Sequence, residues 1–283
     1  MPSDVVTRFA PSPTGFLHLG HAYSALFSEN LAKMSDGIFL VRFEDIDRDR
    51  CSPDFERAII DDLSWLNLKW HGQIRRQSDH MVDYTNAVNK LKRLKLLYPC
   101  TLSRKELSEA LSAPHPDTLL PQNHNTLVDT DKHISNQETQ RRLRSGAPYA
   151  LRLRMKSAIK MTGRMTWHDT EAGIQTAEPE IFGDIVIARK DIPTSYHLSV
   201  TVDDAIQGIT TVTRGDDLFG ATHVQRLLQE LLELPTPNYC HHKIITDDTG
   251  KRLAKRNKAN TLKSLRESGI NREDILKSLD LNF

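Results

Sequence analysis

A pair of histidines separated by a leucine and a glycine, His18-Leu19-Gly20-His21, follows an apolar N-terminal run and begins an amphipathic stretch. When a strand leads into a helix through a glycine-containing turn, backbone N–H groups and the positive end of the helix dipole are placed where phosphates bind. Because His18 and His21 are three positions apart, both rings lie near one helix face and can donate hydrogen bonds to triphosphate oxygens. Gly20 lets a nucleotide approach the backbone closely.

The hydrophobic periodicity after this segment alternates between strands and helices. Residues 38–43 are predicted to form a buried strand, and helical spacing covers residues 54–66 and 82–97. Alternation of this kind is typical of an α/β unit with a parallel sheet. Further strands are predicted at residues 149–154, 184–188 and 198–202, and short helices at 262–267 and 272–279.

The composition changes between residues 112 and 148, where four prolines lie among many polar residues with weak periodicity. This segment is predicted to be rich in loops or partly disordered. We therefore predict a Rossmann-type parallel-sheet catalytic domain with an inserted α+β subdomain and a short helical C-terminal tail. The predicted divisions are residues 1–100 and 181–240 for the two halves of the catalytic domain, 101–180 for the insertion and 241–283 for a basic loop and the tail.

Positive charge is concentrated near the C-terminus, although the formal net charge of the whole chain is only +1. Residues 243–263 contain seven Lys or Arg against two Asp. A loop of this kind, centred on residues 250–257, can close over a triphosphate and stabilise its in-line transition state. Taken alone, the same charge is more typical of a solvated surface or of one that binds RNA phosphates.

Together, residues 18–21 and the basic loop resemble the HIGH and KMSKS signatures of class I aminoacyl-tRNA synthetases, with residues 252–256 in the place of KMSKS. Other blocks narrow the resemblance to the glutamyl branch, and they occur in that family's order. They are Arg8-Phe9-Ala10-Pro11-Ser12-Pro13-Thr14-Gly15, Arg42-Phe43-Glu44-Asp45-Ile46-Asp47, Tyr196-His197-Leu198, Val202-Asp203-Asp204 and Thr213-Arg214-Gly215-Asp216-Asp217-Leu218. The family's acceptor-binding insertion falls where the insertion is predicted here.

Only 27 residues follow Arg256, which leads us to expect no anticodon-binding domain. Within the glutamyl branch, this resembles the shortened paralogues that activate L-glutamate with ATP, without tRNA, and attach it to the queuosine base of tRNA(Asp). The resemblance thus implies an ATP-dependent ligase whose partners are glutamate, ATP as its Mg²⁺ complex, and queuosine-containing tRNA(Asp). Two alternatives stay open: charging of a tRNA 3′ end, as a glutamyl-tRNA synthetase does, or a catalytically idle RNA-binding module.

Glutamate carries two carboxylates and one ammonium group, so its pocket needs fixed cations and one carboxylate. Arg8 and Arg214 are the candidate cations, because guanidinium groups hold carboxylates in a bidentate geometry. Glu44 is the candidate partner of the ammonium group. The resemblance implies that Ala10, Ser12 and Tyr196 complete the glutamate site, with Arg8 reading the side-chain carboxylate. For ATP and catalysis it implies His18, Gly20, His21, Arg252 and Lys255.

Two departures from the family pattern concern the signature loop and a metal site. In the loop, Arg252 replaces the first lysine and Ala254 the serine, while Lys255 is kept. Many relatives carry a zinc site that begins Cys-x-Cys, where this chain reads Cys100-Thr101-Leu102. Since structural zinc takes about four ligands and His115 is the one further candidate nearby, we expect no structural zinc and no other metal ligands.

The aspartates next to the predicted strand ends are expected to have structural roles. Asp45 and Asp47 are expected to pair with neighbouring arginines such as Arg50 rather than to bind metal. Asp203 and Asp204 are expected to follow a strand, where they either cap the next turn or support the ribose side of ATP; capping is the favoured role.

The number of cysteines and the hydropathy of the sequence are used to predict the cellular compartment of the protein. Three widely spaced cysteines favour a reducing cytoplasm over a disulfide framework, and no apolar run is long enough for a membrane span or a signal peptide. The resemblance implies a monomer.

Overall fold

A computed structural model of the chain describes residues 5–103, 105–107, 130–245 and 261–281. Its first part alternates strands and helices, as predicted from the periodicity. The elements are β1 (Val6–Phe9), α1 (Leu19–Met34), β2 (Ile38–Phe43), α2 (Pro53–Trp65), β3 (Arg75–Arg76) and α3 (Met81–Arg93). β2 pairs in parallel with β1 on one side and with β3 on the other.

The middle of the chain adds a second, antiparallel sheet and a hairpin. The elements are β4 (Leu97–Cys100), α4 (Asn136–Arg144), β5 (Ala150–Leu153), α5 (Met155–Thr162), β6 (Thr166–Asp169), β7 (Gly173–Thr176) and β8 (Val186–Arg189). β5 lies between β4 and β8 and is antiparallel to both, while β6 and β7 form the antiparallel hairpin. The predicted limits of the insertion, residues 101 and 180, stay a prediction.

The chain then returns to the parallel sheet. The elements are α6 (Tyr196–Ile206), β9 (Thr211–Gly215), α7 (Ala221–Leu232) and β10 (Asn238–His242). β10 pairs in parallel with β9 and with the end of β6. Val6 N donates to Thr210 Oγ1 at 2.9 Å and Thr210 N donates to Val6 O at 3.0 Å, which places β9 beside β1. Because the chain leaves β1 towards β2 and later returns on its other side, the gap between β1 and β9 is a topological switch point.

The last described residues pack against the first part of the chain. α8 (Leu262–Glu267) and α9 (Arg272–Ser278) confirm the two predicted short helices. Leu262, Ile275 and Leu279 are buried in the same core cluster as α1, α2, β1 and β2. Leu262 N donates to Leu17 O at 2.8 Å, so the tail is tied directly to the residue before His18. None of the helices in these described ranges combines the length and hydropathy that a membrane crossing requires.

The predicted strand at residues 198–202 is wrong, because these residues lie inside helix α6. Every side chain from Leu198 to Asp204 is buried, so the helix has no polar face at these positions and its sequence shows no helical periodicity. Thr201 Oγ1 donates to His197 O at 2.7 Å, which satisfies this hydroxyl within the helix. Tertiary packing therefore overrides the strand preference of the β-branched residues.

The segment predicted to be loop-rich contains a helix, α4, in its second half. Ser135 Oγ accepts a hydrogen bond from Glu138 N at 3.1 Å and caps its first turn. Glu138 also pairs with Arg141 and Arg142 at 2.6 and 2.8 Å, so charged pairs one turn apart support a helix with almost no apolar residues. Residues 112–129 of that segment lie outside the described residues.

Candidate active site

A cavity of about 410 Å³ opens at the carboxyl ends of β1 and β9, at the switch point of the parallel sheet. This volume falls within the usual range for small-molecule sites. All the predicted site residues that the structure describes line it: Arg8, Ala10, Ser12, His18, Gly20, His21, Glu44, Tyr196 and Arg214. Arg252 and Lys255 lie outside the described residues.

The two histidines form a reciprocal cap at the start of α1. His18 is the N-cap residue, and its Nδ1 accepts from Gly20 N at 3.1 Å, while His21 Nδ1 accepts from His18 N at 3.2 Å. Their ring centroids are 3.8 Å apart. Since both Nδ1 atoms accept, each neutral ring carries its proton on Nε2, on the opposite edge of the ring. The cap therefore fixes the tautomer that donates from Nε2, next to a positive helix end.

Arg8 is held by Asp204 at the base of the cavity. Its Nε and Nη2 donate to the two Asp204 oxygens at 3.0 and 3.3 Å, and its Nη1 donates to Thr213 O at 3.0 Å. Burial opposes ionisation of Asp204, but Arg8 and Arg42 outweigh it and lower the pKa of this carboxyl group. The expected capping role of Asp203 and Asp204 is wrong, because both lie late in α6 and bind buried arginines.

Arg42 connects this pair to Glu44. Arg42 is fully buried and donates to Asp204 Oδ1 at 2.8 Å and to Glu44 Oε1 at 3.2 Å. Burial raises the pKa of Glu44 above its ordinary value, although Arg42 and Arg8 offset part of the effect. A cation bound in the cavity beside Glu44 would therefore favour its ionised form.

Arg214 lies at the end of β9 with its guanidinium directed towards α7 and β10. Nη1 donates to Gln225 Oε1 at 2.8 Å, Nη2 to Thr222 Oγ1 at 2.5 Å, and Nε to His241 Nε2 at 3.1 Å. The guanidinium carbon lies 5.3 Å from the centre of the Tyr239 ring. This cation is thus fixed in orientation while it lines the cavity.

Tyr196 begins α6 at the cavity wall. Burial raises the pKa of its phenol, and the charge of Glu44 raises it further, while Arg214 and Arg8 act in the opposite direction. The phenol therefore stays protonated at neutral pH and is available as a hydrogen-bond donor.

Two further histidines at the end of β10 were not predicted as site residues. His241 pairs in register with Arg214, and His242 lines the cavity, where its Nε2 lies 3.0 Å from Ser24 Oγ. Polar residues at the carboxyl end of a strand parallel to β9 were the available signal, because the carboxyl ends of parallel strands meet at one edge of the sheet.

The predicted pair of Asp47 with Arg50 is confirmed at 2.6 Å, and Asp45 instead accepts from Ser78.

Within the described ranges, no group of three or more His, Cys, Asp or Glu side chains is arranged to hold a metal ion. Cys100 is buried, and Thr130 Oγ1 donates to its sulfur at 3.5 Å. His115, the other residue considered for zinc, lies outside the described residues.

The parallel sheet, the cavity at its switch point and the histidine pair at the following helix define a nucleotide-binding catalytic domain. The chain belongs to the family of class I tRNA synthetases (E and Q), catalytic domain, whose model matches residues 4–283. This confirms the resemblance, the fold class and the ligase-type enzyme class predicted from the sequence.

Two curated relatives differ in how much of their length the chain covers. A glutamyl-Q tRNA(Asp) synthetase from Rhodobacter capsulatus is 44% identical over 98% of this chain and 100% of its own length. A glutamate–tRNA ligase from Aquifex aeolicus is 34% identical over 99% of this chain, which spans 57% of that ligase. Similarity to the longer ligase is therefore confined to a little more than half of it.

Solved structures agree with the family. The glutamate-tRNA synthetase from Elizabethkingia anophelis superposes with a TM-score of 0.73 at 26% identity, covering 89% of this chain and 52% of that one. The methionyl-tRNA synthetase from Mycobacterium tuberculosis, at 12% identity and a TM-score of 0.57, shares the fold alone.

Proposed function

We propose that this protein activates L-glutamate with ATP to glutamyl-adenylate, without tRNA, and transfers the glutamate to the queuosine base of tRNA(Asp). The observation that carries the proposal is one cavity that contains Arg8, Arg214 and Glu44 together with His18 and His21. The glutamyl-Q tRNA(Asp) synthetase that matches over its full length supports this choice over the longer glutamate–tRNA ligases.

In the amino-acid site, Arg8 would bind the side-chain carboxylate of glutamate with the N–H groups that Asp204 and Thr213 leave available. Arg214 supplies the second fixed cation, and Glu44 accepts from the ammonium group. Ala10 and Ser12 form the adjoining wall in the segment after β1. Tyr196 closes the site with its ring and donates its phenolic hydrogen. Charge-assisted bonds of this type are stronger than neutral ones and select for charge and geometry.

At the nucleotide end, His18 and His21 would donate from Nε2 to the triphosphate, and Gly20 lets it approach the helix start. Arg252 and Lys255 of the basic loop would add positive charge at the phosphates. Mg²⁺ enters with ATP as part of the substrate, held by phosphate oxygens and water, as is usual for this ion.

The first reaction needs no protein nucleophile. The α-carboxylate of glutamate attacks the α-phosphorus of ATP, a new oxygen–phosphorus bond forms, and pyrophosphate leaves. A hydroxyl of the queuosine ring then attacks the activated carbonyl, forms an ester, and releases AMP. Catalysis is positioning of the two reactants and stabilisation of charge that moves to the leaving phosphates.

We also propose the domain division predicted from the sequence, with residues 1–100 and 181–240 as the catalytic halves. Residues 101–180 are then an acceptor-binding-like insertion, and residues 241–283 the signature loop and tail. A monomer acting in the cytoplasm fits a tRNA-modifying enzyme of this size.

To test this proposal, the protein is incubated with ATP, labelled glutamate, and tRNA(Asp) with or without queuosine. We expect glutamate-dependent pyrophosphate exchange without RNA, and label only on the modified tRNA. A tRNA(Asp) that contains queuosine but lacks its 3′-terminal adenosine should still accept glutamate. Label that requires the 3′ end would favour ordinary charging, and the absence of exchange at high enzyme concentration would favour the idle RNA-binding module.

A further inference from the structure

A buried line of hydrogen bonds leads from Arg214 away from the cavity to the β6–β7 turn. Arg214 Nε donates to His241 Nε2 at 3.1 Å, and His241 Nδ1 lies 2.7 Å from Asp169 Oδ2. The three residues are at most 6% exposed. We infer that Asp169 and His241 are positioning residues that hold Arg214 in the orientation needed to bind a carboxylate of the amino-acid substrate. The inference rests on the proposed function of Arg214.

The donor properties of arginine decide the tautomer of His241. A guanidinium group has N–H donors and no acceptor, so His241 Nε2 has to accept from Arg214. The ring proton is therefore on Nδ1, which donates to Asp169. Burial lowers the pKa of His241 and the charge of Arg214 lowers it further, which together outweigh the bond to Asp169. A neutral ring is thus the form that fits between the two charged residues.

The turn after β6 locks Asp169 as an acceptor. Its Oδ1 accepts from Glu171 N at 3.0 Å and from Ala172 N at 2.9 Å, while Oδ2 also lies 3.3 Å from His241 N. The bonds from Ala172, His241 and Glu171 lower the pKa of Asp169 despite its burial. Both oxygens of Asp169 therefore already accept hydrogen bonds, and only Oδ2 faces the imidazole.

These hydrogen bonds connect the β6–β7 hairpin to Arg214 on β9. The end of β6 pairs with β10 at Asp169 and Tyr239, so the hairpin supplies a residue directly behind the catalytic sheet. Gln225 and Thr222 hold the two terminal nitrogens of Arg214, and His241 is the partner that fixes Nε. A side chain held at all three nitrogens is pre-organised, so no ordering is needed when substrate binds.

The variant Asp169→Asn tests the inference with almost no change in shape. Its amide oxygen would face the N–H groups of Glu171 and Ala172, which leaves its NH₂ group against His241 Nδ1. Nδ1 then has to accept, the ring proton moves to Nε2, and an N–H group faces Arg214 Nε–H. We expect the KM for glutamate in pyrophosphate exchange to rise about 10- to 100-fold, and the KM for ATP to stay unchanged.

Two substitutions at His241 separate positioning from packing. His241→Gln keeps an acceptor for Arg214 and a donor for Asp169, so it should retain most glutamate affinity when Asp169 is present. His241→Phe keeps a ring but no acceptor, and should match Asp169→Asn. His168→Gln changes an exposed histidine on β6, next to Asp169, and serves as the control.

Nitrogen NMR of the histidine rings reads the tautomer directly, with the His241 signal identified by its loss in His241→Gln. We expect Nδ1–H in the unchanged protein and Nε2–H in Asp169→Asn. An unchanged tautomer, or an unchanged KM for glutamate, would overturn the inference. Absence of exchange in the unchanged protein overturns the proposed function instead, while the ring spectra still decide whether Asp169 and His241 set the orientation of Arg214.

Discussion

Arg8 and Asp204, which are 196 positions apart in the sequence, form a two-point ion pair across the switch point of the sheet. Nε and Nη2 of Arg8 lie 3.0 and 3.3 Å from the two oxygens of Asp204. Arg8 comes from β1 and Asp204 from α6, so the pair joins the first strand of the parallel sheet to the helix that precedes β9. Arg42 binds the same carboxylate. Removal of the Asp204 charge would therefore leave two buried arginines with less compensating negative charge.

Asp204→Asn is therefore expected to lower the free energy of unfolding by about 3 to 5 kcal/mol, the usual cost of breaking a buried ion pair. The KM for glutamate should rise as well, because Arg8 loses its anchor. Urea unfolding and pyrophosphate exchange measure the two effects. The matched control is Asp191→Asn, whose pair with Arg189 is largely exposed and should change stability by less than about 0.5 kcal/mol.

The pH dependence of Asp204 has a definite sign. Its pKa is lower in the folded protein than its ordinary value, so its contribution is fully present above that ordinary value. This stability is lost as the pH falls through the lowered pKa. Asp204→Asn should consequently flatten the loss of stability as the pH falls below the ordinary value of 3.8. An equally steep acid transition in the variant would assign the effect to other carboxylates.

Replacing His18 separates its role as a helix cap from its proposed role in catalysis. Asn at this position keeps an N-cap acceptor, whereas Ala removes it at a cost of about 1 kcal/mol. Both variants lose the imidazole, so we expect the exchange rate to fall by about 10²- to 10³-fold in each. Only His18→Ala should also lose thermal stability. Near-normal exchange in His18→Asn would mean that the imidazole acts only as a cap.

Gly20→Ala tests how closely the helix start must fit around the histidine pair. A Cβ atom here would lie 3.1 Å from His18 Cε1 and 3.2 Å from its Nδ1, so the ring would have to shift. We expect exchange to fall about tenfold, because small displacements of reacting groups are costly. The control is Gly220→Ala at the start of α7, where the nearest contact is an ordinary 3.4 Å to Phe182. Equal activity of the two variants would contradict the prediction.

The first half of the sheet and the histidine pair could be predicted because their signals are local. A strand, a glycine-containing turn and an amphipathic helix are all readable within residues 5–34, and the structure places β1 and α1 there. Arg8 and Arg214 meet at one cavity although nothing local joins them. The resemblance to a family supplied that expectation, since local spacing carries no information about partners 200 positions away.

The polar network behind the cavity could not be predicted, because its members interact across the fold. Asp203 accepts from Arg75, Gln77 and Tyr84, and Asp204 from Arg8 and Arg42. In the sequence, the two aspartates follow a run that reads as a strand, so capping was the expected role. Once that run is a fully buried helix, both carboxylates lie inside and need cationic partners.

Binding of tRNA should weaken as salt increases, because the sequence concentrates positive charge at residues 90–95, 141–144 and 251–258 of a chain of almost neutral charge. Several of these cations already have partners, since Arg141 and Arg142 pair with Glu138 and Lys90 donates to Leu232 O. Arg144 is exposed at the end of α4, so Arg144→Gln should reduce the slope of log affinity against log salt by up to about one. An affinity independent of salt would reject phosphate binding.

Asp62 should make the protein less stable as the pH rises. It lies in α2 with Arg266 Nη2 at 3.4 Å from Oδ1, yet neither oxygen accepts a hydrogen bond from the described residues. Burial raises its pKa to about 7, although Arg266 opposes the shift. The unfolded chain releases this proton near pH 4 and the folded protein only near pH 7, so stability falls between these values.

Asp62→Asn removes the buried charge and should raise the free energy of unfolding at pH 8 by about 1 to 4 kcal/mol, because one pKa unit corresponds to about 1.4 kcal/mol. At pH 4, where the folded protein keeps the Asp62 proton, the change should be small. Asp61→Asn, at the exposed neighbouring position, is the control. Urea unfolding at both pH values measures the difference. If the variant were less stable at pH 8, the ion pair with Arg266 would outweigh the burial of the carboxylate, and the tail would be held to α2 by charge.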